Sequence, residues 1–132
     1  MERSALPCHP VVLLVDEDLD TLDMYQFGVS LEGFHAYTIR DVSNVVERCR
    51  ALQPDVVVAG VEAGTHGWKV AESLKTNTAT RDIPVVALIA TDNADIQSRA
   101  AELHCAAVIV KPCLPHALAE TLRSVLLAPP SH

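Results

Sequence analysis

A chain of 132 residues can bury one sizeable core but not two, so a single folding unit is expected. Its 49% apolar and 20% charged composition is that of a globular protein, and no run approaches the roughly 20 apolar residues of a membrane helix, which excludes a bilayer span. The formal charge of −7, unrelieved by any Lys/Arg cluster, repels phosphate backbones and argues against direct nucleic-acid binding.

Residues 1–10 form an N-terminal arm that lacks the apolar run of a secretory signal, so a cytoplasmic address is the default expectation. Cys8, Cys49, Cys105 and Cys113 are scattered without a CxxC pair and read as free thiols of a reducing compartment. The alternative, a zinc site of Cys8, His9, Cys113 and His116, requires the arm to fold back over the last helix.

From Val11 to Leu127, short β-branched runs alternate with stretches at helical spacing, the mark of βαβ units and a parallel sheet. Val11 to Val15 is a continuous apolar run, as expected of a strand buried on both faces. Leu22, Tyr25, Gln26, Val29 and Ser30 define a helix that Gly33 ends, and Phe34 to Ile39 reads as the second strand. Val42, Val45, Val46, Cys49 and Leu52 share one helical face, closed by Pro54 before a third strand, Val56 to Ala59. Glycines 60, 64 and 67 punctuate the next loop, and Val70, Ala71 and Leu74 suggest a third helix. Pro84 to Ile89 gives the fourth strand, Ile96, Ala100 and Leu103 the fourth helix, Ala107 to Val110 the fifth strand, and Leu118 to Leu126 the fifth helix. Residues 128–132 read as a tail or linker. A (βα)5 chain of this length folds as an open, doubly wound sheet with helices on both faces, and its ligands sit at the carboxyl ends of the strands.

Those ends carry Asp16 and Glu17, Gly60, Ile89, and Lys111 with Pro112. Two adjacent carboxylates with waters suit the octahedral oxygen preference of Mg2+, which makes Asp16 and Glu17 the candidate metal ligands. A helix-capping role for nearby acids such as Asp18 and Asp20 is the structural alternative. Lys111 can reach across the crevice toward the acids, and an ion pair with Asp16 would stabilise both charges where they are half buried.

Leu13-Leu14-Val15-Asp16-Glu17, Pro54-Asp55 before a β-run, Ile83-Pro84-Val85 and Val110-Lys111-Pro112 stand in order, and together they resemble the response-regulator receiver family. The resemblance runs from Val11 to about Leu127 and implies a flavodoxin-like (CheY-like) sheet of order 2-1-3-4-5. It further implies a phosphorelay domain of a two-component system, in which a strand-three aspartate is phosphorylated with Mg2+ bound and the Lys-Pro bond is cis.

The departures from the family pattern bear on what the chain does. The phosphoacceptor place, five residues after the Pro-Asp pair, is Gly60, and glycine supplies no nucleophile. Ile89 stands where the family has a switch hydroxyl, and Val108 where it has a switch aromatic. Thr91 is a loose substitute for that hydroxyl and reads more naturally as a loop or cap residue. The loop from Gly60 to Gly67, with Ala63-Gly64 and His66-Gly67, is one residue short, and Glu62 would share the side of residue 60 if the chain stays extended.

The expected function is therefore that of a pseudo-receiver: not an enzyme, no cofactor required, acting by protein contact or self-association through the face of helix four, strand five and helix five. Leu103, His104, Ala107, Val108 and Leu118 lie in that region, and core packing is the competing assignment for Leu103 and Leu118. The alternatives are regulation by a small ligand or metal in the former phosphorylation crevice, and phosphorylation at Thr65 or His66 of the shortened loop. Pro129 and Pro130 would suit a linker to an output domain.

Overall fold

A computed structural model describes residues 9–61, 67–90, 93–111 and 113–127. In chain order the elements are β1 (Val11–Val15), α1 (Leu19–Leu31), β2 (His35–Ile39), α2 (Val45–Leu52) after a 3-10 turn at Val42–Asn44, β3 (Val56–Val61), α3 (Gly67–Thr76), β4 (Val85–Ile89), α4 (Ala94–Glu102), β5 (Ala107–Val110) and α5 (Pro115–Leu127). The five strands form one parallel sheet of order β2-β1-β3-β4-β5, the doubly wound order expected. Most of the expected N-terminal arm and the whole tail lie outside the described residues. Among the described residues no helix is long and apolar enough to cross a membrane.

The three middle strands, β1, β3 and β4, are apolar and rich in Val because they bury both faces, and period-two alternation sends successive side chains to opposite layers. Val12 and Leu14 of β1, Val56 and Val58 of β3 and Val86 and Leu88 of β4 pack with Leu22, Tyr25 and Val29 of α1 and with Leu118, Ala119 and Leu122 of α5. Leu13, Val15, Val57, Ala59 and Val85 face the other layer, where Val45 and Cys49 of α2 and Val70, Ala71 and Leu74 of α3 cover them. A third cluster of Val61, Ala87 and Ile89 is covered by Trp68, Ile96, Cys105 and Val108.

The helix ends follow from local chemistry. Asp18 caps α1, accepting hydrogen bonds from the Asp20 backbone N–H at 3.2 Å and the Thr21 hydroxyl at 2.7 Å. At the other end Gly33 takes φ +97°, and the backbone N–H groups of Gly33 and Phe34 return to the carbonyls of Ser30 and Val29. α4 ends the same way on a non-glycine residue: His104 has φ 57°, with His104 and Cys105 donating to Ala101 and Ala100. Pro54-Asp55 also has a local task, because the Asp55 carboxylate accepts from the Val11 N–H at 2.7 Å and ties β1 to β3 at the end away from the candidate site.

The expected contact face changes character here. Leu118 is fully buried, since its i, i+4 pairing with Leu122 turns that stripe of α5 into the sheet. Leu103, Ala107 and Val108 are half-buried against the core clusters, so of the five residues named for that face only His104 is exposed. Leu118→Ala should therefore lower unfolding stability by about 2–5 kcal/mol in urea denaturation, the cost of a core cavity. His104→Gly should raise stability by up to about 1 kcal/mol, because it relieves a left-handed backbone.

Candidate functional site

The carboxyl ends of β1, β3 and β5 bring Asp16, Gly60 and Lys111 together. β1 and β3 run in register with Val15 opposite Ala59, which makes residues 16 and 60 lateral neighbours just beyond the last pair. Period two then places both on the α1 side of the sheet, with Leu14 and Val58. Gly60 lies inside β3, opposite Leu88 of β4, one residue before the strand ends, whereas the sequence alone suggests that the strand stops at Ala59.

The Asp16 carboxylate occupies the space a side chain at position 60 would need: a Cβ built on Gly60 would stand 2.7 Å from the Asp16 Cγ. Asp16 is 6% exposed, and both its oxygens are engaged. Lys111 Nζ lies 3.2 Å from Oδ2, and the Asp18 backbone N–H donates to Oδ1 at 2.9 Å. The Lys111 backbone is fixed by its own N–H, which donates to the Ile89 carbonyl at 2.7 Å. The expected Asp16–Lys111 pair is thus present, held across a residue with no side chain. Glu17 is exposed, and its carbonyl accepts from Arg40 Nε at 3.2 Å. Among the described residues no group of three or more His, Cys, Asp or Glu side chains is placed to hold a metal ion.

Ile89 is fully buried in the third cluster, which Trp68 and Val108 cover, so its side chain packs on the α3/α4 side of the sheet. Beside Asp16 there is a cavity of about 10 Å³ lined by Leu14, Thr21, Leu22, Tyr25, Val58 and Leu88, the room of roughly one water. Pro112, Glu62, Ala63, Gly64, Thr65, His66 and Thr91 lie outside the described residues, as does Cys8 of the zinc alternative. His116 lies 3.1 Å from Glu32 and 3.5 Å from Glu120.

Sequence reasoning placed Tyr25 only on a helix stripe, yet it ties α1 to the segment after Lys111. Its hydroxyl donates to the Cys113 carbonyl at 2.9 Å and lies 3.3 Å from the Cys113 Sγ. Burial, reinforced by the hydrogen bond with the Cys113 side chain, pushes the phenol up to about 12. A buried aromatic hydroxyl needs a partner, which was the available signal; its identity, 88 residues away, was not.

A parallel five-stranded sheet with an acid after β1 and a lysine after β5 defines the class of phosphorelay receivers, and direct comparison agrees. The family model for the response regulator receiver domain matches residues 12–123, so this chain belongs to that family. The phosphate regulon transcriptional regulatory protein PhoB of Escherichia coli is 27% identical over 116 residues, 87% of this chain and 51% of that protein. The transcriptional regulatory protein PrrA of Mycobacterium leprae is 27% identical over 118 residues, 89% of this chain and 50% of that protein. The chain therefore spans about half the length of the curated relatives it matches. Among solved structures, a response regulator from Desulfuromonas acetoxidans is 26% identical with a TM-score of 0.77, covering 89% of this chain and 96% of that one. The chemotaxis protein CheY4 of Vibrio cholerae, 19% identical, reaches a TM-score of 0.82 over 89% of this chain and 98% of that one, which shows the shared fold.

Two outcomes follow from this geometry. Lys111→Met should cost about 2 kcal/mol, below the ~3–5 of a fully buried pair because the Lys111 side chain touches solvent, and adding Asp16→Ala should recover part of the loss in a double-mutant cycle. The folded state keeps the Tyr25 proton where the unfolded chain loses it, so stability is full below about pH 10 and falls as pH rises toward about 12. Tyr25→Phe should cost about 1 kcal/mol at neutral pH and show a shallower alkaline decline, read from urea midpoints.

Proposed function

We propose that this receiver domain acts in two-component-type signalling without being phosphorylated, through contact with a protein partner, and that it neither catalyses a reaction nor requires Mg2+. The observation that carries the reading is the place of Gly60. It stands in β3 beside Asp16, where the family resemblance puts the phosphoacceptor, and the Asp16 carboxylate fills the space above it. Transfer of a phosphoryl group to the protein needs a positioned nucleophile, and a backbone CH2 offers none.

The absence of a carboxylate at position 60 weighs against a Mg2+ requirement, and each Asp16 oxygen already has a partner, one an ammonium and the other a backbone N–H. A carboxylate at position 60 would crowd a second negative charge against Asp16 and compete with it for Lys111. Ile89 adds a further support, because its buried side chain cannot donate to a phosphoryl oxygen as a hydroxyl would. As the described residues bound it, the cavity beside Asp16 is too small for an effector, which favours protein contact over ligand regulation.

The test is to add Mg2+ with acetyl phosphate, and separately with beryllofluoride, to the purified chain. Intact mass should show no phosphoryl adduct, and the backbone amides of Asp16, Gly60 and Lys111 should not shift. A stable adduct on any residue, or saturable shifts at those three amides, would sink the phosphorylation-independent reading.

A further inference from the structure

The amino end of the sheet holds a pair of histidines outside the crevice. His35 opens β2 opposite Val11 of β1, and His9 stands two residues before Val11. Their imidazole rings face each other with centres 5.5 Å apart and planes 25° from parallel, and both side chains are exposed. Asp16 lies beyond the other end of the five-residue β1, roughly 16 Å away at the rise of a parallel strand. Of the zinc set suggested by the sequence, Cys113 lies against the Tyr25 hydroxyl and His116 against Glu32, while His9 has His35 as its neighbour instead.

Spacing and a fixed backbone both suit this pair to a metal ion. Bonds of ~2.0–2.1 Å from each nitrogen, set at tetrahedral angles, put the centres of two imidazoles on one Zn2+ roughly 5 Å apart. The observed separation is close to that, and each ring needs only to turn about χ2, a broad and soft torsion, to aim a nitrogen at a shared ion. The main chain beneath the rings is already held. The His35 N–H donates to the Pro10 carbonyl at 2.8 Å, and the Val11 N–H donates to the Asp55 carboxylate at 2.7 Å. Between the two anchors Pro10 is buried and its ring fixes φ, so His9 is presented from a set backbone. Among the described residues, no side chain hydrogen-bonds to either ring, in contrast to His116 at Glu32.

We propose that His9 and His35 form a site for an imidazole-seeking divalent ion such as Zn2+, bound through one nitrogen of each ring with water in the remaining positions. Neutral imidazole suits Zn2+, whereas Mg2+ prefers oxygen, so the site selects against the hard ion that the family resemblance implies for the crevice. No third His, Cys, Asp or Glu among the described residues completes the pair, which makes this an open site rather than a closed four-ligand centre. β2 is an outer strand paired only with β1, and the ion adds a side-chain link between β2 and the segment that enters β1. An ion held by the folded chain and not by the unfolded one stabilises by mass action. The inference uses none of the residues on which phosphorylation independence rests.

The test titrates the untagged, reduced, isotope-labelled full chain with Zn2+ in the presence of excess Mg2+, following histidine ring signals and backbone amides by NMR. Saturable shifts should appear at both rings and at the amides of His9, Val11 and His35, while Asp16, Gly60 and Lys111 stay still. His9→Ala and His35→Ala should each weaken binding at least about tenfold, and His104→Ala should leave it unchanged. Without metal the urea midpoints of both variants should hold, because both side chains are exposed. Saturating Zn2+ should raise the midpoint of the parent chain and of neither variant. Shifts that grow without saturating, or equal affinity in His35→Ala, would overturn the site. Binding that survives both histidine substitutions and is lost in Cys8→Ser would give the ion to the thiol and overturn it as well. Shifts centred on Cys113 and His116, or on Asp16, would place the ion elsewhere with the same consequence. A phosphoryl adduct in the preceding test would defeat phosphorylation independence and leave this site untouched.

Discussion

Burial of the three middle strands on both faces is the constraint from which the rest of this molecule follows. β1, β3 and β4 lie between two helical layers, so nearly every side chain along them must be apolar, and the period of two divides the core into an α1/α5 layer and an α2/α3 layer. A polar group cannot be accommodated within such strands without a partner, and chemistry is displaced to their ends. Asp55 shows the consequence at one end, where its carboxylate only fastens β1 to β3. Asp16 and Lys111 show it at the other.

At that second end, one missing side chain reorganises its neighbours. Gly60 leaves room on the α1 side of the sheet, the Asp16 carboxylate takes it, and Lys111 closes over the pair from β5. The charges are compensated where they are buried, which is the condition for keeping them at all. Next to the pair, Val61, Ile89, Trp68 and Val108 join in an apolar cluster that packs the ends of β3, β4 and β5 under α3 and α4. Glu72 of α3 and Arg99 of α4 are ion-paired on the outside of the same two helices, with Arg99 also reaching Glu102 at 3.1 Å.

α1 joins this site to the surface. Its N-terminal cap, Asp18, follows the Asp16 carboxylate and donates its backbone N–H to it; its inward Tyr25 holds the segment after Lys111; and its outward face exposes Met24, Phe27 and Leu31. Glu32 at its far end gathers Arg123 and His116 from α5, while Arg123 also lies over the Phe34 ring, 5.8 Å from its centre. One helix thus bears the core, the crevice and the exposed stripe on different sides.

Much of this was legible in the sequence. The alternation of short β-branched runs with helical stripes determined the (βα)5 order, and Gly33 and Pro54 marked real helix ends, because strand burial and left-handed caps depend on residues close in the chain. The position of Gly60 and the reach of Lys111 toward Asp16 were also readable, since strand ends in a parallel sheet fall on one edge. The second stripe of α1 was present as spacing, but an apolar position says nothing of which side is covered until the neighbouring layers are placed. For the same reason contact and core packing both stood open for Leu118 until α5 turned it inward with Leu122. Only tertiary structure decided that Asp16 fills the space over Gly60, that Tyr25 finds Cys113, and that the exposed hydrocarbon gathers on α1, because each depends on how separately encoded elements meet across the sheet.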